Sequence, residues 1–323
     1  MSDFTEHIGY SNYKTVTFCW DITTSCQYRC SYCYALPWLT PVNKFKYSTA
    51  YKNVLKRLSM KSMPEFNIEI LGGEPLLHKN INTILNKLST NNKCRQIVLN
   101  TNMVYDVMEM MYIERVKISP SYHPESANPV AFCRKLLQLK KIGYHDNNLL
   151  VNINIHNDTR YIDDYLYILK FCAEHEIYAG ANYLNNTPGY KCMYTDNFFN
   201  TLYKAVSSLD IIPTGWSMDK INWLGVSKYR HPWHDDVRVQ SGDDIKIYNM
   251  GEIRDNKLNK WKGYKCLPLL WQIDPDGKII NECTNEPLKL DNSNIQQQVV
   301  CPCDECGWSD VHYKSYKHNE DIE

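Results

Sequence analysis

Three cysteines, Cys26, Cys30 and Cys33, fall within the stretch TTSCQYRCSYCY, separated by three residues and then by two. Thiolates this close in one loop can converge on one face of a small inorganic group. A closed structural zinc site takes four side chains, whereas a site that does chemistry keeps a position open. Residues 20 to 45 hold no histidine and no further cysteine, so no fourth ligand is near in the sequence. A 4Fe-4S cubane ordinarily takes four cysteines; with three, one iron keeps a free corner. The alternatives are a zinc site completed from elsewhere, or thiols clustered by accident.

A second motif, Leu71-Gly72-Gly73-Glu74-Pro75, closes an apolar run that reads as a strand, FNIEIL. Glycines there let a ligand approach the backbone with no Cβ in the way. Glu74 offers an acceptor to an ammonium group, and Pro75 stiffens the exit. Alone, this is also an ordinary strand-to-helix turn. A third group lies near the end of the chain: Cys266, Cys283, Cys301, Cys303 and Cys306, the last three in VVCPCDECGWSD. The remaining cysteines, Cys19, Cys94, Cys133, Cys172 and Cys192, are isolated and mostly in apolar contexts, where a thiol behaves as a small buried hydrophobe.

The elements that must position these groups alternate. Strands are predicted at 16–22, 66–71, 95–101, 115–119, 149–155 and 177–184. Helical periodicity appears at 48–59 with Ser48 as N-cap, 80–89, 129–143 closed by Gly143, from Asp158 as N-cap to about 175, and 195–209. A short helix is expected near 105 to 112. Six strand-helix units in series imply parallel strands joined by right-handed crossovers. Such a sheet can curl into an open barrel whose working face is the C-terminal end of its strands. The cysteine loop and the glycine pair both fall at that end. The fold class expected is therefore α/β, a partial (β/α)6 TIM-type barrel with a small C-terminal cysteine-rich α+β module. The boundaries are a barrel over 1–209, a connecting or capping segment over 210–260, and the module over 261–323. The module contains a predicted hairpin, LLWQIDPDGKIINEC. The segment Trp216 to His234 reads as packing between domains or as a cover over the barrel mouth, and its two histidines do not read as a metal site.

Composition narrows the function classes. The 323 residues carry 36 Lys and Arg against 36 Asp and Glu, so no bulk attraction to nucleic acid or anionic membrane is indicated. The N-terminus is polar and no apolar run is long enough to span a bilayer. The expected compartment is the cytoplasm, where cysteines are thiols or metal ligands rather than disulfides.

With CX3CX2C one strand ahead of GGEP, the sequence resembles the radical S-adenosylmethionine (SAM) superfamily. The residues that carry the resemblance are Cys26, Cys30 and Cys33, the aromatic Tyr32, and Gly72-Gly73-Glu74-Pro75. It implies a 4Fe-4S cluster whose open iron is chelated by SAM. An electron from the cluster cleaves the sulfonium, and the 5′-deoxyadenosyl radical takes a hydrogen atom from substrate. It implies that Gly73 and Glu74 meet the methionyl amino group, with Gly72 beside them, and that Tyr32 lies near the adenine. Ser119 or Ser121 on the fourth strand, with Ser121 favoured, and Asn152 or Asn154 on the fifth would contact the carboxylate or ribose. His123 is a residue of the substrate mouth or of an ordinary loop.

The spacing of Cys266, a glycine-containing hairpin and Cys283 resembles SPASM or twitch extensions. Five cysteines suffice for one fully ligated auxiliary 4Fe-4S cluster and are too few for two. Trp308 stands where a further cysteine is common in such tails, which leaves open which four bind; a zinc ribbon is the alternative. The expected partners are an external one-electron donor, flavodoxin- or ferredoxin-like, and an unidentified substrate, with a peptide or protein side chain, a sugar and a cofactor precursor all open. The first strand begins too early to leave room for a leader-peptide-binding domain ahead of it, which weighs against peptide maturation. The rival readings are a non-enzymatic iron-sulfur electron carrier or sensor and a zinc-stabilised binding module.

Overall fold

The computed structural model describes residues 15–33, 35–42, 49–105, 107, 110–145, 148–184, 194–211, 270–282, 284–295 and 297, with the backbone of short strands at 6–8, 237–241, 244–248, 265–266, 299–300 and 316–317. In chain order the strands are β1 (Glu6–Ile8), β2 (Val16–Asp21), β3 (Phe66–Leu71), β4 (Cys94–Thr101), β5 (Val116–Tyr122), β6 (Leu150–Ile155), β7 (Tyr178–Tyr183), β8 (Val237–Ser241), β9 (Asp244–Tyr248), β10 (Lys265–Cys266), β11 (Leu270–Ile273), β12 (Ile279–Asn281), β13 (Val299–Val300) and β14 (Tyr316–Lys317). The helices are α1 (Tyr51–Leu58), α2 (Ile81–Ser89), α3 (Pro129–Ile142), α4 (Ile162–Glu174) and α5 (Asp196–Ser207).

The larger sheet runs β12-β11-β2-β3-β4-β5-β6-β7, and β2 to β7 pair in parallel as the six-unit pattern requires. Alternation along each strand sorts residues to two faces. Phe18 and Trp20 on β2, Ile68 and Ile70 on β3, and Ile97 and Leu99 on β4 join Val54, Leu58, Ile84, Leu85 and Leu88 of α1 and α2 in one buried core. The opposite set includes Asn67, Glu69 and Leu71, Asn100, Ser119 and Ser121, and Asn152 and Asn154. It faces the inside of the curled sheet. A closed barrel fills that space with branched apolar side chains; here the wall is polar.

The helix ends follow local chemistry. Asn128 caps α3 by accepting from Ala131 N at 2.9 Å, and Pro129 takes the first turn, where its missing N–H loses nothing. Thr195 caps α5 through Phe198 N at 3.2 Å, and Asp158 caps the single 3-10 turn, Thr159–Tyr161, that leads into α4. Ser48 lies outside the described residues; α1 starts at Tyr51, with Ala50 at the cap position and no side-chain cap. Of the short helix expected near 105 to 112, Val107 is in a 3-10 turn, while Met110 to Ile113 are not helical and Tyr144 Oη donates to Met111 O at 3.0 Å.

The predicted hairpin forms as β11 and β12, but it does not stand apart. β11 pairs in parallel with β2, Trp271 opposite Phe18 and Ile273 opposite Trp20, so it extends the barrel's own sheet. A smaller sheet, β13-β10-β14-β1-β8-β9, gathers the chain's first strand, a hairpin from the 210–260 segment and the short strands near the C-terminus. The alternating Val237, Val239 and Ile245, Ile247 were the signal for that hairpin. No helix is found in residues 265–317 among those described, so the module's helical part is not seen there. Among the described residues no helix is long and apolar enough to cross a membrane.

Candidate functional site

The loop after β2 is held by backbone. Ile22 N donates to Leu71 O at 3.1 Å, Gly73 N to Thr23 O at 2.7 Å and Glu74 N to Ser25 O at 2.7 Å, so the β2–β3 ladder runs on past both strand ends. This is where the glycines are needed. A Cβ on Gly73 would sit 2.1 Å from Ser25 O, and one on Gly72, whose φ is +115°, would sit 2.4 Å from Thr23 O. The open approach expected for a ligand is on this side taken by the cysteine loop itself. Across the loop, Thr40 N donates to Thr24 O at 2.8 Å and Ser25 Oγ to Thr40 O at 3.2 Å. The turn closes with Cys33 N donating to Cys30 O at 3.1 Å.

The three cysteines meet the predicted partners at one place. A cavity of about 330 Å³ is lined by Cys26, Cys30, Cys33, Tyr32, Gly72, Gly73, Ser121 and Asn152, and also by Asn100, Asn102, Asn154, Asn182 and His123. Cys26 and Cys30 are buried and Cys33 is partly so. Burial pushes the Cys26 thiol up to about 11, and the nearby Glu74 carboxyl adds to the rise. Among the described residues no three His, Cys, Asp or Glu side chains lie close enough to hold a single metal ion. The three thiols share one cavity.

Glu74 does not line this cavity. It is fully buried behind the wall, where its carboxylate accepts from Thr101 Oγ1 at 2.6 Å, Asn102 N at 2.7 Å and Leu76 N at 2.9 Å. Burial nonetheless raises its pKa to about 7 against those three donors. Tyr32 is also buried, with Oη 3.1 Å from His123 Nδ1 and its ring stacked on the imidazole at 6.0 Å between centroids. Burial lowers His123 to about 4, which keeps the ring neutral at ordinary pH. His123 Nδ1 and Ser126 Oγ each lie 3.6 Å from Cys30 Sγ. Glu125 of the same loop accepts from Ser31 N and Ser31 Oγ, both at 2.6 Å, and so ties the end of β5 to the cysteine turn.

The far wall is made of side chains. Ser121 pairs in register with Asn152. Ser119, nearly inaccessible below them, accepts from Asn152 Nδ2 at 2.7 Å. Asn154 Nδ2 donates to Tyr122 O at 2.9 Å and Asn182 Nδ2 to Asn154 Oδ1 at 2.7 Å. Of the expected serines, Ser121 opens on the cavity and Ser119 supports from beneath. Asn100, Asn102, Asn182 and Ser126 were not anticipated. For the three asparagines the signal was position, at or just past the C-terminal ends of β4 and β7; Ser126, in the loop after β5, had none.

Of the C-terminal cysteines, Cys283, Cys301, Cys303 and Cys306, like Trp216 to His234, lie outside the described residues. Cys266 is in β10, paired in register with Val299 of β13.

Residues 15–119 match the model of a family described as a 4Fe-4S single cluster domain. No curated protein matches the sequence. Among solved structures, Streptococcus suis SuiB bound to precursor peptide SuiA is 12% identical with a TM-score of 0.50, over 93% of this chain and 64% of that one. SuiB bound to S-adenosylmethionine is 10% identical with a TM-score of 0.49, over 87% of this chain and 64% of that one. Native anSMEcpe with bound AdoMet and Cp18Cys peptide is 11% identical with a TM-score of 0.48, over 86% of this chain and 78% of that one. The first of these likenesses establishes a shared fold. The chain spans less than two thirds of the SuiB chains it matches.

Proposed function

We propose that the protein is a radical SAM enzyme, holding a 4Fe-4S cluster on Cys26, Cys30 and Cys33 and acting on a peptide or protein side chain by hydrogen-atom abstraction. The observation that carries this reading is the shared cavity: three closely spaced cysteines on one wall, facing neutral hydrogen-bonding groups on the other. When bound, the cluster and SAM supply the electron and the 5′-deoxyadenosyl radical that the side chains cannot make. The chain's own tasks are to bind, orient and shield. Cys26, Cys30 and Cys33 hold three irons. Gly72 and Gly73 present bare backbone, while Ser121 and Asn152 offer a hydroxyl and an amide to the carboxylate or ribose of SAM. Tyr32, stacked on neutral His123, closes the wall with an apolar face suited to an adenine.

A peptide is the substrate class to test first, because the shared fold in SuiB is bound to a precursor peptide. We further read the C-terminal cysteines as the ligands of one auxiliary 4Fe-4S cluster. In support, β10, which contains Cys266, pairs with β13 at Val299 and Val300, next in sequence to Cys301, and β12 ends at Asn281, two positions before Cys283. A flavodoxin- or ferredoxin-like donor would supply the electron.

Anaerobic reconstitution with iron and sulfide, then incubation with SAM and a strong reductant, tests the reading. The expected result is 5′-deoxyadenosine from the parent and none from Cys30→Ala. A brown protein that leaves SAM intact would instead make it an electron carrier. A colourless protein holding zinc would make it a binding module.

A further inference from the structure

We propose that Asn102 is a positioning residue for the cluster, donating a hydrogen bond to the Cys26 sulfur that raises the cluster's reduction potential, and that Glu74 acts by holding Asn102 there. The inference rests on the reading of Cys26 as a cluster ligand.

Asn102 follows β4 and is only 7% exposed. Its Nδ2 lies 3.4 Å from Cys26 Sγ. The orientation of the amide is fixed by its other end, since Oδ1 accepts from Val104 N at 2.9 Å and so must be the oxygen. The group facing the sulfur is therefore the NH₂. The turn that carries it is pinned from both sides. Glu74 takes Asn102 N on one carboxylate oxygen and Thr101 Oγ1 on the other, and Thr101 Oγ1 in turn accepts from Met103 N at 2.9 Å. Lys135 Nζ donates to Met103 O and, at 2.6 Å, to Val104 O. Glu74 has no exposed surface and three donors on its two oxygens, so its carboxylate is occupied with building this turn.

An N–H directed at a cysteinate withdraws charge from the sulfur. The reduced cluster carries one more negative charge than the oxidised one, so the donor favours it and the potential rises. Asn102 is placed to do this for one ligand. Ser126, at 3.6 Å from Cys30 Sγ, has a longer contact and a freely rotating hydroxyl. The glutamate of the glycine motif thereby gains a role through its neighbour, distinct from direct contact with a cofactor's ammonium group.

The test is potentiometric titration of the reconstituted protein without SAM, followed by electron paramagnetic resonance. Asn102→Asp keeps the acceptor for Val104 N and removes the donor; Asn102→Ala removes both. Both variants are expected to show a more negative midpoint than the parent at equal iron and sulfide content, with Ser126→Ala shifting less. Resonance Raman provides a second readout: loss of the donor should raise the Fe–S(Cys) stretching frequency. Glu74→Gln should shift the midpoint in the same direction. A parent that assembles its cluster, with Asn102 variants at the parent's potential and stretching frequency, would overturn the proposal. Glu74→Gln that leaves the SAM-free potential unchanged and weakens only SAM binding would overturn its second half. A parent that assembles no cluster would instead sink the reading on which it stands.

Discussion

The cavity has two walls made by different means. On the β2–β3 side the cysteine loop and the Gly72-Gly73 segment are joined backbone to backbone, and side chains enter chiefly as sulfurs. On the β5–β7 side the surface consists of serine and asparagine side chains that hydrogen-bond to one another and to neighbouring carbonyls. The first wall tolerates almost no change of shape, because any added atom meets main chain that is itself part of a ladder. The second can lose a side chain and leave the strands paired. The first wall also carries two carboxylates, the fully buried Glu74 and the half-buried Glu69, whereas the groups that the second turns to the cavity are neutral. Geometry is thus concentrated in one half of the site and recognition in the other.

Substitution at Gly73 should separate the walls most strongly. An alanine Cβ there would overlap Ser25 O and the Ser25 carbonyl carbon, at 2.1 and 2.5 Å, and neither is the flexible end of a side chain. Gly73→Ala should destabilise the apoprotein by about 2–4 kcal/mol, as overpacking against backbone does. Because the displaced segment leads directly to Cys26, it should also abolish cluster loading. Urea unfolding under reducing conditions and iron analysis measure the two effects. Normal stability with full loading would mean that the loop adapts and that the first wall is no stiffer than the second.

That contrast also explains what the sequence disclosed. Cysteine spacing and a glycine pair at a strand end are backbone requirements, and they are written as residue types that few other needs produce. The six strands of the barrel were legible for a similar reason: runs such as FNIEIL and LLVNINI carry their period openly. The second wall is spelled in asparagine and serine, which also serve turns and caps. Ser121 and Asn152 could be named only by position on a strand, and Asn102 and Asn182 were missed. Glu74 was recognisable as special, but its direction was not. Nothing in GGEP states that Thr101 and Asn102 stand ready to occupy the carboxylate. The pairing of β11 with β2 joins residues about 250 positions apart, and no local pattern encodes it.

A pH experiment sharpens the electrostatic side of the comparison. Burial raises Glu69 to about 7, well above its unfolded value near 4.5. Between those values the folded state holds the proton more tightly, so the stabilisation present at low pH is lost as pH rises through about 7. His123, on the other side, is lowered to about 4. The unfolded chain then takes up the proton first, and stability is lost as pH falls from about 6.5 towards 4. Glu69→Gln should therefore stabilise the apoprotein at pH 8, by at most about 3 kcal/mol, with the gain shrinking towards pH 5. The acid limb should stay where His123 puts it. Equal stability of parent and variant at pH 8 would show that water reaching this half-buried carboxylate offsets its desolvation.

The smallest effect on folding should come from the second wall. Asn152→Ala removes one hydrogen bond to Ser119, at 2.7 Å, without disturbing the main-chain pairing of β6 with β5 and β7. The loss of folding stability should be about 1 kcal/mol. If the wall is there for recognition, the same amide is worth more to a bound ligand, where leaving a polar atom unpaired is penalised. SAM affinity of the reconstituted protein, measured by equilibrium dialysis, should then fall about tenfold, equivalent to roughly 1.4 kcal/mol. The ratio of the two losses is the informative quantity. Gly73→Ala should damage folding far more than any later binding step, and Asn152→Ala the reverse. If Asn152→Ala unfolds the protein as severely as Gly73→Ala while binding by the surviving fraction is unchanged, the two walls are one scaffold, and the site's recognition must come from other residues.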